Sequence, residues 1–142
     1  MNAKFLFCRK KKEKITSFEK VLLRESGMRV TSEHEIVMKD GQAEVSLYFF
    51  RYGDGKEERV LEKRAVISEE KALELLNGCD VMSWDSFHGK HPKGVLDGTM
   101  FRFEATVNSG RIIKADGSQN FPSGYRDFES GLYKILQGES ED

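Results

Sequence analysis

The chain is short of the residues that staple, break or anchor a fold. Only two of its 142 residues are cysteine, Cys8 and Cys79, and they stand far apart in no Cys-x-x-Cys pair. That spacing argues against a disulfide framework or a thiolate metal site, and it fits two free thiols in a reducing cytoplasm. Only two residues are proline, Pro92 and Pro122, and no Pro/Gly-rich linker divides the chain. A single domain over 1–142 is therefore expected. No apolar run approaches the roughly 20 residues of a membrane span. Phe5-Leu6-Phe7-Cys8 is too short for a signal-peptide core, and the charges of Arg9-Lys10-Lys11-Lys12 lie on the wrong side of it. No GxxxxGK[ST] or GxGxxG phosphate loop occurs, and no His-Glu-x-x-His pair. The formal net charge is -1, which gives no overall pull toward nucleic acid or membranes.

The residues present are those of an ordinary folded domain, 38% apolar and 33% charged. A chain of this length buries about two thirds of its unfolded surface, enough for one core without staples. Charge is uneven along it. The first 30 residues hold nine Lys/Arg against three Asp/Glu, and the rest hold 14 against 21. Residues 1–14 thus form a basic segment and 138–142 a polar tail. Arg9, Lys10, Lys11, Lys12 and Lys14, beside Phe5 and Phe7, are candidate polyanion contacts. The plainer reading is a solvated terminal run, since the acidic remainder repels phosphates.

Residues 4–8 suit a short strand. Ile15 to Glu25 is ambiguous: Thr16 and Glu19 have capping-box spacing, and Ile15, Phe18 and Leu22 recur at helical intervals, yet the same stretch suits a strand. Val30 to Lys39 alternates, with Val30, Ser32, His34, Ile36 and Met38 on one face. Asp40-Gly41 is a strong hairpin signal. Ala43 to Tyr52 follows, with Ala43, Val45, Leu47 and Phe49 on one face. After Gly53-Asp54-Gly55, Glu58 to Val66 reads as a charged strand near an edge. Ser68 is a good N-cap, with Glu69 and Glu70 in the first turn of a helix that ends at Asn77-Gly78 or continues to Val81. Met100 to Val107 and Arg111 to Ala115 form a hairpin, which Asp116-Gly117-Ser118 is expected to end. Pro122 suits the start of a last helix, whose core face is Tyr125, Phe128, Leu132, Ile135 and Leu136. The expected fold is α+β: a two-layer domain with a mainly antiparallel sheet of about five to seven strands and two helices on one face, in the order βββ(β)-α-ββ-α.

Unusual residues converge between Trp84 and Gly98, which hold the only Trp and two of the three His. Asp85, His88 and His91 make Asp-x-x-His-x-x-His, with Asp97 nearby, a set of donors that zinc or iron accepts. The spacing falls in a Gly/Pro loop, so no helix face aligns these donors. Asp85 and Asp97 are also a candidate carboxylate pair, although nothing singles them out among 24 acidic residues. Cys79 beside a helix is more readily a small buried side chain than a nucleophile. The structural reading of the stretch is a helix-to-sheet junction. Trp84, Phe87 and Leu96 pin it, Asp85 bonds loop backbone, and Asp97-Gly98 turns the chain into the next strand.

Four segments together carry a resemblance: Trp84-Asp85-Ser86-Phe87, Val95 to Phe101, Ala115-Asp116-Gly117, and Phe121-Pro122-Ser123-Gly124-Tyr125. Over about residues 15–137 the chain resembles a family of small bacterial proteins, found in clostridia and other gut bacteria, to which no activity is assigned. The pattern has Gly where this chain has Ser86 and Ser where it has Asp116. The resemblance implies a strand for residues 15–25. It implies a structural unit built on Trp84, Asp85, Phe87, Leu96, Asp97, Gly98, Pro122, Gly124 and Tyr125, to which His88 and His91 do not belong. The expectation is a cytoplasmic, non-catalytic interaction or accessory domain without a cofactor, for which a protein partner is favoured over nucleic acid and a membrane is not expected. The alternatives are a metal-dependent hydrolase centred on Asp85, His88, His91 and Asp97, and a weak nucleic-acid binder using the basic N-terminus.

Overall fold

A computed structural model describes residues 13–96 and 98–138. The expected strand at 4–8, Arg9 to Lys12, Asp97 and the tail from 139 lie outside the described residues. Seven strands form one sheet: β1 Phe18–Ser26, β2 Thr31–Lys39, β3 Gln42–Gly53, β4 Lys56–Ser68, β5 Phe87–Gly89, β6 Met100–Val107 and β7 Arg111–Ser118. Among the described residues two helices accompany them, α1 Glu69–Gly78 and α2 Tyr125–Leu136, with a 3-10 turn at Val81–Trp84. The strand order is β4-β3-β2-β1-β6-β7-β5, antiparallel throughout except that β5 runs parallel to β7. This is the expected two-layer α+β domain. No helix among the described residues is long and apolar enough to cross a membrane.

Local chemistry sets the turns. Asp40 and Gly41 take φ of 52° and 80°, and Asp54 and Gly55 take 52° and 74°, so both two-residue hairpins use the left-handed backbone that Asp-Gly tolerates. The Ser68 hydroxyl accepts a hydrogen bond from the Lys71 N–H at 3.1 Å and starts α1. Residues 18–26 are strand rather than helix, because Val21 pairs with Ile36 on one side and with Ala105 on the other. Placed at the centre of the sheet, they gain two ladders of hydrogen bonds where a helix would satisfy only itself.

Alternation puts Val21, Leu23, Ile36, Ala43, Val45, Phe101, Phe103, Ala105, Ile113 and Ala115 on one buried face. α1 presents Ala72 and Leu76 to this face, and α2 presents Tyr125, Phe128 and Leu132. Trp84 lies fully buried between the layers. Its ring meets Phe103 at 4.9 Å, Phe128 at 5.5 Å and Tyr125 at 5.8 Å between centroids. Its indole N–H donates to the Ser123 carbonyl at 2.8 Å, which satisfies the one polar atom that burial would otherwise penalise.

Three expectations need correction. β7 does not end at Ala115: Asp116, Gly117 and Ser118 pair with Arg102, Phe101 and Met100. Gly117 makes this possible, because a Cβ there would run into the Asn120 carbonyl as the chain crosses over the strand. Residues 87–89, expected as loop, form the parallel edge strand β5 beside Ala115 to Gly117. Leu96 does not pin the junction; it is 94% exposed, and Trp84, Phe87, Phe101 and Phe121 supply the apolar contacts instead. Pro122 lies in the turn before α2, where its carbonyl accepts from the Tyr125 N–H. Gly124 is the helix N-cap, at φ 89°, with the Cys79 carbonyl where a Cβ would stand.

Replacing Trp84 by Ala should cost about 3–5 kcal/mol of stability, as large-to-small changes of buried aromatics do. Urea unfolding of the two proteins measures it. An unchanged midpoint would show that the ring is not the core element described.

Candidate functional site

Among the described residues, the helices cover one face of the sheet and leave the other open. Strand register aligns a row of polar side chains across that open face: Tyr48 on β3, Glu33 on β2, Arg24 on β1, Arg102 on β6, Asp116 on β7 and His88 on β5. Every one is in the outward phase of its strand, so the row follows directly from alternation.

Half of the row is tightly bound. The Glu33 carboxylate is only 8% exposed, and it accepts from Arg24 Nη1 at 3.2 Å and from Arg59 Nε at 3.0 Å. Arg24 also bonds Glu57 at 3.3 Å and lies 4.5 Å over the Phe50 ring. Arg59 lies 3.5 Å over Tyr48 and reaches Glu35 at 3.5 Å. The aromatic faces hold these guanidinium planes while the carboxylates fix their direction.

The other half is less committed. His88 Nδ1 is 3.1 Å from Asp116, an exposed pair. Arg102 stands directly opposite Arg24, a like-charge cross-strand placement that costs stability. Arg24 is compensated by Glu33 and Glu57, whereas the Arg102 guanidinium makes no hydrogen bond or ion pair with any described residue. A groove of about 760 Å³ opens here, lined by Arg24, Glu33, Met100, Arg102, Glu104 and Asp116. It offers a free guanidinium beside a fixed one, with carboxylates at its rim.

A second polar cluster sits on the opposite, helix-covered face. The Tyr125 hydroxyl donates to Glu25, which occupies the inward phase of β1 after Val21 and Leu23. Glu129, one turn along α2 from Tyr125, meets the same carboxylate. Burial first, then the hydrogen bond and negative charge of Glu25, push the Glu129 carboxyl up to about 8, against the opposing pull of Arg126. Burial and Glu25 likewise raise the Tyr125 phenol. His34, on the neighbouring strand, is held below its ordinary value by burial, although the Glu25 charge works the other way. Its Nδ1 is buried without a partner. The cluster therefore keeps one carboxyl protonated near neutrality, which lets two glutamates share a proton rather than repel.

The residues singled out by sequence are dispersed. The Asp85 carboxylate accepts from the Lys114 backbone N–H at 3.0 Å and is 4.0 Å from Arg111. His88 faces Asp116. His91 bonds the Ser118 hydroxyl at 2.7 Å and the Val95 carbonyl. Asp97 is not among the described residues, and no group of three or more His, Cys, Asp or Glu among those described is placed to hold a metal ion. A Cβ on Gly98 would meet the Gln119 side chain, which caps the Thr99 N–H at 2.8 Å. Arg9 to Lys12 lie outside the described residues; Lys14 is exposed, with its carbonyl bonded by Asn108. Cys79 is buried, and burial, then the charge of Asp127, push its thiol up, away from nucleophile chemistry. Sequence reading missed Arg24, Arg102, Glu25 and Glu129. Glu25 and Glu129 did carry a signal, for each is a charged residue in the apolar phase of its element.

The Glu129 carboxyl binds its proton more tightly in the folded chain than at the ordinary value of 4.5. Its contribution to stability is therefore complete below pH 4.5, declines as pH rises, and is gone once pH passes about 8. Glu129→Gln, neutral at every pH and still able to bond Glu25, should lose less melting temperature than the parent between pH 5 and pH 8.5. Equal losses would show that the shared proton does not exist. Compared with protein-family models, with curated proteins and with solved structures, the chain matches none, so its own geometry is the guide to what it does.

Proposed function

We propose that this chain is a non-catalytic interaction domain that binds a protein partner through the open face of its sheet. The observation that carries the reading is Arg102: a guanidinium with no partner among the described residues, opposite the fixed Arg24, in a groove on the face that neither described helix covers. An interface residue of this kind costs the free monomer stability and regains it when a carboxylate arrives. Arginine and tyrosine held rigidly by stacking suit a recognition surface, because little conformational freedom is left to lose on binding. Glu33, Glu104 and Asp116 at the groove disfavour a polyphosphate and favour a partner that brings isolated carboxylates among basic groups.

Residence in a reducing cytoplasm belongs to the same proposal and is supported by the buried free thiol of Cys79. So does kinship with the small bacterial proteins whose segments Trp84 to Phe87 and Phe121 to Tyr125 resemble. In this chain those segments form the junction under the aromatic core rather than the binding face.

Arg102→Glu leaves every intramolecular contact in place and reverses the free charge. Immobilised parent and variant should therefore fold alike. The proteins that the parent retains from a host-cell extract should be retained on the order of tenfold less by the variant, the scale of losing one charge-assisted pair. Identical capture by both would remove the groove from the account.

A further inference from the structure

The sheet has two edges of very different character. β5 closes one edge with three residues. β4 forms the other with 13, about twice the usual strand length, and its outward backbone groups pair with nothing among the described residues. Long free edges invite a further strand unless side chains forbid it.

Charge forbids pairing only where the incoming strand brings the same sign. The register of β4 allows this to be worked out for a second copy. Tyr48 pairs with Leu61 and Leu47 with Lys63, so Glu62 is an extra, bulged residue. Glu57, Arg59, Leu61 and Arg64 consequently lie on the open face, and Glu58, Val60 and Lys63 on the helix-bearing face. Two such strands set antiparallel about a dyad at Val60 place Val60 against Val60 and Leu61 against Arg59. Beyond the bulge they place Lys63 against Glu58 and Arg64 against Glu57. Each pair shares a face, as direct antiparallel partners must. Each of the last two pairs is of opposite charge and occurs twice.

The side chains are ready for this. Arg64 is held by the Ser46 hydroxyl at 2.9 Å and the Tyr48 hydroxyl at 3.1 Å, with the Glu44 carboxylate at 3.6 Å. Glu57 is held by the Tyr52 hydroxyl at 2.9 Å and by Arg24 at 3.3 Å. Lys63 has no ion pair with a described residue, and Glu58 has only an exposed one with Arg51. At the dyad, Phe49 pairs with Val60 within the chain and is 38% exposed. A second copy would extend this to a row Phe49–Val60–Val60–Phe49 and cover that apolar patch.

We propose that β4 is the seat of a two-fold homodimer, in which two copies pair antiparallel about Val60 to give one continuous sheet with both open faces on the same side. Arg102, on β6, lies four strands away from β4, and its groove stays accessible in both copies.

Sedimentation equilibrium of the full chain, from micromolar to millimolar concentration, tests the dimer, and charge reversal tests the register. The parent should dimerise. Glu58→Lys alone and Lys63→Glu alone each convert two attractive pairs into two repulsive ones and should dissociate on the order of tenfold more readily or worse. An equimolar mixture of the two variants restores opposite signs at every pair and should recover the dimer. A parent that stays monomeric throughout overturns the proposal. So does a dimer indifferent to both reversals, or a mixture no tighter than its components.

Discussion

Burial of the Trp84 ring is the contact on which the rest of the structure depends. The ring touches the interior strand β6 through Phe103 and the last described helix through Tyr125 and Phe128. Its N–H ties down the turn before that helix at Ser123. Segments remote in sequence are thereby fixed at one point, and their own local chemistry does the rest. Asp85 and Ser86, immediately after the ring, bond the backbone of Lys114 and deliver the chain to β7 as the parallel strand β5. Gly124 lets α2 begin against Cys79, where any side chain would collide.

A consequence is a strict division of labour between the two faces of the sheet. One face, with both helices, takes the buried apolar side chains of the strands. The other carries a row of charges and aromatics that no core needs. Burying Glu33 under two arginines is a poor way to gain stability, because desolvation offsets most of the attraction. Its value lies in fixing two guanidinium planes and two aromatic rings on a surface that faces outward. The like-charge placement of Arg24 and Arg102 has the same character: it costs stability and adds nothing to the core. The Glu25–Glu129–Tyr125 cluster, with His34 beside it, brings polar groups into the covered layer, and the raised Glu129 carboxyl reconciles two close glutamates with burial.

Much of the fold is legible in the sequence because alternation and turn chemistry are local. Val30 to Lys39, Asp40-Gly41 and Ala43 to Tyr52 read as a hairpin with the correct face inward, and Ser68 reads as a helix cap. The parts that are not legible depend on contacts distant in sequence. β5 exists only because β7 offers it an edge, and Gly117 stays in a strand because the crossing chain at Asn120 needs the room. Leu96 looks like an anchor by residue type, yet the space it would fill is taken by Phe87, Phe101 and Phe121. The polar row was visible one strand at a time, as the outward phase of each. Its assembly into Glu33–Arg24–Arg102–Asp116 required the strand order, which places β1 beside β6 across most of the chain. Rare residue types drew attention to His88 and His91, but the less conspicuous Arg102 is the guanidinium in this row left without a partner among the described residues.

Since Trp84 is the only tryptophan, its fluorescence reports on this one junction, while far-UV circular dichroism reports on the whole sheet. If the ring holds β6, α2 and the β5–β7 edge as a single unit, both signals change along the same curve as urea is raised. An indole that becomes exposed well before the sheet is lost would contradict the account, for the sheet would then stand without the contact said to organise it.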